Sequence, residues 1–535
     1  MIGIDGGTIG EAFDKAVARW PDAPFLIEPA ASGGPPRIVS YKAAAEAVRG
    51  YADTLSAAGY GHGHRIAMLI GNRAEFFLMK LAMNRLGISN VPVNPDYRAG
   101  ELAYLLDDSR ADLALVERER LDLMEAGIAE AGRNPPLALL EEIAAGVPRA
   151  AAPPPAEGAP TPATEASLIY TSGTTGRPKG CILSHEAELM YGESYLMIPE
   201  PFALREAADR ALNPLPLFHV NAGVITFFGM MLSGNAQIIP TRFSASTWWR
   251  DIRDTGATIF HYLGVVISVL MAGREAGKTD TGALRWALGA GVEPALHGAF
   301  ESRFGVPLVE CWGMTEMCRV LFVAEEPRMI DTRAIGRPRD GLEVRVADRE
   351  GRDVPPGTPG EMLLRHSAEK PRKGFFSGYL NKPEATAEAW RDGWFHTGDT
   401  VTQDKSGMIF FVDRAKNIIR RAGENIAAAE VENCLFEDKR VAAVACIAAP
   451  DKMREEEVLA CIVLAEGVEP NEETARALFD HAFQRLAYFK PPGWIRFLDA
   501  LPVTGTQKVV KHQIFASGED PRADAFDFRD LKRRA

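Results

Sequence analysis

The sequence predicts an α/β protein with a large domain over residues 1–413 and a smaller α+β domain over residues 414–535. Three observations support this prediction. A chain of 535 residues is too long for one small hydrophobic core. Strand patterns alternate with helical patterns over the first part, which is typical of parallel, doubly wound sheets. Near position 413 a strand-like apolar run gives way to a basic segment, which indicates a domain boundary.

The elements of the first part can be assigned in chain order. Residues 9–19 place apolar side chains at helical intervals, and the prolines of residues 20–24 end that helix. Four later segments predict, in order, a buried strand, a helix and two further strands: residues 65–70, 75–86, 90–94 and 113–116. Residues 147–164 are rich in Ala and Pro and predict an exposed connector. The charged tail, residues 515–535, is expected to be mobile.

A segment rich in glycine and hydroxyl groups follows the predicted strand at Leu168. It reads Leu168-Ile-Tyr-Thr-Ser-Gly-Thr-Thr-Gly-Arg-Pro-Lys-Gly180. Glycines let the backbone approach a polyanion, so hydroxyls, N–H groups and an ammonium can bind phosphate oxygens. The spacing is not that of a Walker A loop, because Lys179 follows Gly176 by three residues and precedes another glycine. A flexible surface loop is the alternative. The candidate phosphate-binding residues are Thr171, Ser172, Gly173, Thr174, Thr175, Gly176 and Lys179.

Four further segments show motif-like spacing. They are Cys311-Trp-Gly-Met-Thr-Glu316, Gly393-Trp-Phe-His-Thr-Gly-Asp399, residues 411–425, and Leu501-Pro-Val-Thr-Gly-Thr-Gln-Lys508. With the phosphate-binding segment they resemble, in the expected order, the motifs of the adenylate-forming superfamily of acyl-CoA synthetases, peptide-synthetase adenylation domains and luciferases. The resemblance covers nearly the whole chain and is nearest to crotonobetaine/carnitine-CoA ligases and related bacterial acyl-CoA ligases. It implies stacked doubly wound sheets and a mobile C-terminal domain.

The resemblance implies an AMP-forming ligase that joins a carboxylic acid to coenzyme A using ATP. A carboxylate is a poor electrophile, so it first attacks the α-phosphate of ATP to give an acyl-adenylate, from which AMP departs readily. Charge must then be neutralised at the β/γ-phosphates, at the α-phosphate and at the acyl–phosphate bridge. By resemblance, residues 171–179 hold the β/γ-phosphates and Thr315 contacts the α-phosphate. Glu316 holds a Mg²⁺ ion that keeps some of its waters.

Other motif residues are expected, by resemblance, to bind adenosine. Trp312, with Cys311 and Gly313 on either side, stacks on the adenine. Asp399 accepts the ribose hydroxyls, much as an acidic residue does in dinucleotide folds, and Arg414 assists. For Asp399 the alternative is an ordinary turn residue. The backbone of a further stretch is expected to flank the adenine: Gly289, Ala290, Gly291 and Val292.

Lys508 is the expected catalytic residue of the small domain, because its ammonium can stabilise the bridging oxygen in the transition state alone. Gln507 stands before it, where the family commonly has a glycine. By resemblance, the small domain turns about Lys416, which withdraws Lys508 and brings in a loop with Gly423 and Glu424. Gly423 permits close approach of the pantetheine arm of coenzyme A.

The segment Pro216-Leu-Phe-His-Val-Asn-Ala-Gly223 resembles the mouth of the acyl pocket. Peptide-synthetase adenylation domains usually place an aspartate here to bind the α-ammonium of an amino acid. This chain has His219 in that region, which disfavours an amino-acid substrate. His219 is expected to gate the carboxylate, and a purely structural histidine is the alternative. The identity of the acid stays open.

Two alternatives to transfer onto free coenzyme A are retained. The acyl group can pass to the phosphopantetheine of a separate carrier protein. The chain can also be a non-catalytic nucleotide-binding relative. Such a relative is expected to lack Glu316 or Lys508, and both residues are present.

Composition narrows the class of protein. A formal net charge of −12 argues against a nucleic-acid partner. The six cysteines show no CxxC pair and no zinc-like spacing. No signal peptide and no apolar run long enough to span a membrane is recognised, so a cytoplasmic protein is expected. A homodimer is the prior expectation for its assembly.

Overall fold

The structure of the protein is a computed structural model. It describes residues 1–4, 6–31, 33–171, 177–273, 280–348, 350–414, 418–502, 511, 514–516 and 518–533. In this part of the chain every helix is too short or too polar to cross a membrane.

The first helix, Ile9–Arg19, begins where a capping residue precedes an amphipathic run. Thr8 Oγ1 accepts a hydrogen bond from the Glu11 N–H, and the Glu11 carboxylate accepts one from the Thr8 N–H. Ile9 and Phe13 then lie buried on one face. A short π-helix, Asn221–Thr226, directly precedes the seventh helix. The α-helices are α1 (Ile9–Arg19), α2 (Tyr41–Ala57), α3 (Ala74–Arg85), α4 (Ala99–Ser109), α5 (Leu121–Glu130), α6 (His185–Leu196), α7 (Phe227–Ser233), α8 (Trp248–Thr255), α9 (Gly264–Ala272), α10 (Pro294–Phe304), α11 (Pro383–Ala389), α12 (Ala428–Phe436) and α13 (Glu472–Arg485).

The strands are between 2 and 11 residues long. They are β1 (Pro24–Glu28), β2 (Arg37–Ser40), β3 (Arg65–Leu69), β4 (Ser89–Pro92), β5 (Leu113–Val116), β6 (Leu137–Leu139), β7 (Glu165–Thr171), β8 (Lys179–Ser184), β9 (Arg210–Leu212), β10 (Ala236–Ile238), β11 (Ile259–Leu263), β12 (Trp286–Ala290), β13 (Leu308–Met314) and β14 (Met317–Phe322). They continue with β15 (Ala334–Gly336), β16 (Glu343–Ala347), β17 (Gly360–Arg365), β18 (Gly378–Tyr379), β19 (Trp390–Arg391), β20 (Trp394–Gln403), β21 (Ile409–Arg414), β22 (Ile418–Arg421), β23 (Glu424–Ala427), β24 (Val441–Asp451), β25 (Glu455–Leu464), β26 (Trp494–Phe497) and β27 (Phe526–Asp527).

Two doubly wound sheets form the large N-terminal domain. The seven-stranded sheet has the order β18-β8-β7-β4-β3-β5-β6, and the eight-stranded sheet has the order β14-β13-β12-β11-β9-β10-β1-β2. Their central strands pair in parallel, and β3, β4 and β5 are buried almost throughout. A parallel sheet needs this burial because helices cover both of its faces. Antiparallel pairs, such as β7 with β8 and β13 with β14, occur toward the edges.

One hydrophobic core joins these two sheets. It contains side chains of β3 and β7 from one sheet, of β11 and β12 from the other, and of helices α1, α3, α6 and α7. Phe77 of α3 stacks on Phe227 of α7 with ring centroids 4.0 Å apart. The predicted stacking of doubly wound sheets is therefore confirmed. The predicted helices and strands of the first part are also confirmed, with ends shifted by at most two residues.

A third sheet of the large domain is antiparallel and was not expected from the sequence. Its strand order is β15-β21-β20-β17-β16, and β19 pairs with β20. Strands β20 and β21 pair so that Asp399 and Arg414 are Cα partners. This sheet therefore delivers Asp399 to the same region as the two doubly wound sheets.

The small C-terminal domain has the predicted α+β composition. Its sheet has the order β23-β22-β25-β26-β27, with β24 beside β25, and its core includes side chains of α12 and α13. The tail differs from the expected mobile segment, because β27 pairs with β26 and Lys532 is buried. Lys532 Nζ lies 2.5 Å from Glu457 Oε1. The boundary between residues 413 and 414 stays a prediction.

Candidate active site

A cavity of about 1750 Å³ opens at the carboxyl ends of strands from both doubly wound sheets. Ligands bind at this edge in open α/β sheets. Residues that follow β3, β9 and β12 line it, and residues of the C-terminal domain line another side. The predicted site residues that line the cavity are Thr171, Lys179, His219, Ala290, Gly291, Cys311, Gly313, Thr315, Glu316, Asp399, Gly423 and Glu424. The described residues do not include Ser172, Gly173, Thr174, Thr175, Gly176, Lys416, Lys508 or the side chain of Arg414.

The β7–β8 hairpin holds both ends of the phosphate-binding segment. Thr171 ends β7, Lys179 begins β8, and the two residues are Cα partners. Both therefore enter the cavity from the same point of the sheet. The Lys179 ammonium lies 5.0 Å from the centroid of the Tyr379 ring. This arrangement puts a positive charge where phosphate oxygens could bind.

Thr315 and Glu316 form the turn of the β13–β14 hairpin, in which Met314 and Met317 are Cα partners. Glu316 is only 6% exposed, and its Oε1 accepts a hydrogen bond of 2.7 Å from the Tyr379 hydroxyl. Burial, and then the neighbouring Glu316 charge, raise the pKa of Tyr379. The phenol therefore keeps its proton and holds the carboxylate in place.

Sequence reasoning missed Tyr379. It lies in β18, which pairs with β8 so that Tyr379 and Cys181 are Cα partners. Gly374 and Gly378, just before it, both have positive φ. Closely spaced glycines beside aromatic residues mark a backbone with special geometry, and this signal could have drawn attention to the segment.

The structure differs from the prediction at Trp312. Successive residues of β13 point to opposite faces, so Cys311 and Gly313 reach the cavity while Trp312 is buried. The Trp312 indole N–H donates a hydrogen bond of 2.9 Å to Asp399 Oδ2. Trp312 thus orients Asp399 rather than presenting a face for stacking. Burial raises the pKa of the Cys311 thiol, which disfavours a reactive thiolate.

The stretch expected to flank the adenine is only partly at the cavity. Ala290 and Gly291 line it, and Gly291 has a φ of 77°. Val292 is not among the residues that line the cavity, and its side chain is buried in a hydrophobic core. Gly289 is also not among these residues and packs against Tyr262, where an added Cβ would come within 2.3 Å of the Tyr262 carbonyl oxygen.

His219 meets the C-terminal domain at the cavity. Its Nε2 lies 3.3 Å from Glu424 Oε2. Next to Glu424, Gly423 has a φ of 88° and packs so closely that an added Cβ would come within 2.2 Å of Leu263 Cδ1. A side chain at this position would have to displace Leu263. The predicted gate and the predicted coenzyme A loop are therefore in contact.

Comparison with known proteins identifies the family. The sequence matches the AMP-binding enzyme family over residues 13–380 and the AMP-binding enzyme C-terminal domain over residues 430–508. The chain belongs to the AMP-binding enzyme family.

Two relatives of this AMP-binding enzyme match over nearly their full length. Sulfoacetate–CoA ligase from Cupriavidus necator is 30% identical over 512 residues, which cover 94% of this chain and 96% of the relative. Crotonobetaine/carnitine–CoA ligase from Citrobacter koseri is 31% identical, with 90% of this chain and 94% of the relative covered. This AMP-binding enzyme is an AMP-forming acyl-CoA ligase, which uses a carboxylic acid, ATP and coenzyme A.

One solved enzyme matches the structure of this chain in two different complexes. The o-succinylbenzoate CoA synthetase from Bacillus subtilis, as a double mutant bound to the product analogue OSB-NCoA, is 25% identical with a TM-score of 0.81, covering 94% of this chain and 98% of that chain. The same enzyme in complex with AMP is 25% identical with a TM-score of 0.65, covering 94% of this chain and 97% of that chain. Both matches confirm the fold class.

Proposed function

We propose that this AMP-binding enzyme activates its acid in the described cavity and passes the acyl group to the thiol of free coenzyme A. The observation that carries the proposal is the convergence of three groups in one cavity. Lys179, Glu316 and Asp399 all line it, and we assign the first two to the phosphates and Asp399 to the ribose. Glu424 of the C-terminal domain contacts His219 at the same cavity.

In the first half-reaction a carboxylate oxygen forms a bond to the α-phosphorus of ATP, and the bond from that phosphorus to pyrophosphate breaks. Lys179 and the loop before it balance the charge of the β/γ-phosphates, and Thr315 contacts the α-phosphate. The Lys508 ammonium stabilises the bridging oxygen as charge develops there. An interaction made mainly in the transition state raises the rate rather than only the affinity.

The residues at the phosphate end fit a Mg²⁺ ion that is bound largely through ATP. Glu316 supplies a carboxylate to the cavity that Lys179 and Thr171 also line. Within the described part of the chain, no group of three or more His, Cys, Asp or Glu side chains could cage a metal. Mg²⁺ is commonly held by one or two carboxylates together with phosphate oxygens and retained waters. When bound, it supplies positive charge that neutralises the triphosphate.

In the second half-reaction the coenzyme A sulfur forms a bond to the acyl carbon, the bond from that carbon to the AMP oxygen breaks, and the thiol proton is released. Gly423 offers the close approach that a narrow pantetheine channel needs. The match is better to the OSB-NCoA complex than to the AMP complex, with TM-scores of 0.81 and 0.65. This difference supports a domain arrangement suited to thioester formation.

A panel of carboxylic acids tests the proposal. Pyrophosphate release from ATP is measured with each acid, and acyl transfer is followed with free coenzyme A or with a carrier protein bearing phosphopantetheine. The expected result is AMP and acyl-CoA in stoichiometric amounts with at least one acid. Transfer to the carrier alone would favour the alternative acceptor. A pure, folded sample that consumed ATP with none of the acids would overturn the proposal.

A further inference from the structure

Asn221 is a polar residue of the cavity wall whose side chain is fixed by buried partners. It begins the π-helix after His219, and π-helical segments are frequent at functional sites. Its Oδ1 accepts a hydrogen bond of 2.9 Å from Asn213 Nδ2 and lies 3.0 Å from His261 Nδ1. Asn213 and His261 are completely buried.

The neighbouring Asn213 determines which end of the Asn221 amide faces His261. The His261 Nε2 lies 2.9 Å from the Tyr195 hydroxyl. Burial lowers the pKa of His261 to about 3, so the ring is neutral and carries one proton. The Leu215 N–H donates a hydrogen bond of 3.0 Å to Asn213 Oδ1, so the nitrogen of the Asn213 amide faces Asn221 and the Asn221 atom between Asn213 and His261 is the oxygen. The His261 proton therefore resides on Nδ1 and is donated to Asn221 Oδ1.

The Asn221 amide nitrogen is consequently turned to the cavity. Two N–H donors already face Oδ1, and a flipped amide would set its own N–H groups against them. Among the described residues this nitrogen has no hydrogen-bond partner and is not buried, so it is accessible. Because Asn221 lines the cavity, the accessible donor faces the space that a substrate would fill.

The cavity wall near this donor is mixed. The apolar residues Val220 and Ile225, one before and four after Asn221 in the chain, line the cavity together with the polar Thr241 and the charged Arg242. Because the triphosphate is expected to occupy the end at Lys179, the acyl chain is left with the rest of the cavity.

We propose that Asn221 determines acid specificity by donating a hydrogen bond to a neutral oxygen, such as a ketone or amide oxygen, in the acyl chain. This inference rests on the proposed function, because it assigns a substrate class to the same cavity. An acid without the oxygen leaves a desolvated donor unpaired, which lowers kcat/KM by about 10- to 100-fold.

Pairs of acids that differ by one oxygen test the inference. Straight-chain acids of graded length are each compared with the acids of equal length that carry a ketone at one position. The kcat/KM of each is measured by pyrophosphate release. The wild-type enzyme is expected to prefer at least one keto acid over its plain partner by about 10-fold or more. Asn221→Leu is expected to abolish that preference by slowing the keto acid far more than the plain acid.

Two further variants keep the test decisive. Asn221→Asp preserves the size of the side chain and removes the donor, so it is also expected to lose the preference. Val224→Ala, on the same π-helix but buried in the core, is expected to retain it. Equal turnover of both members of every pair by the wild-type enzyme would overturn the inference and leave the proposed function standing. Equal loss of both acids in folded Asn221 variants would overturn it as well. Failure of every acid would instead count against the proposed function.

Discussion

Lys508 is the residue at which the two half-reactions are expected to separate. Alanine removes the ammonium that stabilises the bridging oxygen, so Lys508→Ala is expected to slow adenylate formation by about 100-fold or more. Transfer of a supplied acyl-adenylate to coenzyme A does not use this ammonium and is expected to continue. ATP–pyrophosphate exchange measures the first step, and thioester formation from synthetic adenylate measures the second.

Lys511 provides a matched control for Lys508. It is the next lysine in the chain, and its Nζ lies 2.6 Å from Glu432 Oε1 in an ion pair within the C-terminal domain. Lys511→Ala is expected to change adenylate formation only slightly. If Lys508→Ala slowed both half-reactions to the same extent, the catalytic role given to Lys508 would be wrong.

Local motifs could predict a group of the residues that line the cavity, because these motifs lie at strand ends and turns near one edge of the sheets. They could not predict the orientation of Trp312, since the face of a strand that meets the cavity depends on how the sheets pack. The hydrogen bond between Asn221 and His261 could not be predicted either, because these residues lie on separate elements and meet only after folding. The motif residues that do converge include Thr171, Lys179, His219, Glu316, Asp399 and Glu424.

At the scale of elements, a contact between the domains lies at the N-terminus of helix α9. There the side chain of Glu455 from the small domain meets the first residues of this helix. Its N-cap residue, Leu263, makes no side-chain capping bond. The Glu455 carboxylate lies there and accepts a hydrogen bond from the Val265 N–H. Burial raises the pKa of Glu455 to about 7. The surrounding charged groups are Arg420, which lowers this pKa, and Glu456 and Glu293, which raise it.

This contact is expected to make docking of the small domain depend on pH. An undocked Glu455 titrates near the ordinary value of 4.5 and a docked one near 7, so the docked state binds more protons between these values. Protonated Glu455 therefore favours docking, and this contribution is complete below pH 4.5. The contribution weakens as the pH rises to 7. Small-angle scattering across this range is expected to show progressive undocking in the wild-type enzyme. Glu455→Gln stays neutral and is expected to show a smaller change, and an unchanged pH response in this variant would contradict the role of Glu455.

The alternation of strands and helices predicted the doubly wound sheets, because amphipathic and buried periods are local properties of the chain. It did not predict β27, because the C-terminal tail carries many charges and reads as a solvated segment. The tail is held in place by Glu457, a carboxylate distant in the sequence that contacts both Lys532 and Arg421. Such pairing across the fold leaves no periodic signal in the tail itself.

On the scale of the whole molecule, a buried cluster of Glu101, Lys490 and Glu430 joins the two domains. Lys490 Nζ lies 2.5 Å from Glu101 Oε1 and 2.8 Å from Glu430 Oε1. Glu101 belongs to α4 of the large domain, whereas Glu430 and Lys490 belong to the small domain. Burial disfavours the charge of Lys490, but the two carboxylates prevail and raise its pKa. This interdomain cluster therefore exists only in domain arrangements that keep α4 beside the small domain.

Glu101→Gln is expected to weaken this domain arrangement selectively. Glutamine keeps the shape of the side chain and removes one of the two charges that compensate a buried ammonium, a change that is costly in buried ion pairs. Thioester formation from a supplied adenylate is therefore expected to fall by about 10-fold or more. ATP–pyrophosphate exchange, which belongs to the other arrangement, is expected to hold or to rise.

The Arg65–Glu165 pair supplies the control, because its atoms lie 2.8 Å apart entirely within the large domain. Glu165→Gln removes an ion pair without touching the domain interface, so it is expected to leave the ratio of the two half-reactions unchanged. If the interdomain cluster had only a general stabilising role, Glu101→Gln would lower the rates of both half-reactions by the same factor. The small-angle scattering profile of the folded protein would then stay unchanged. A changed ratio accompanied by a changed profile would instead show that one ammonium, shared by carboxylates of both domains, biases which half-reaction the enzyme is arranged to perform.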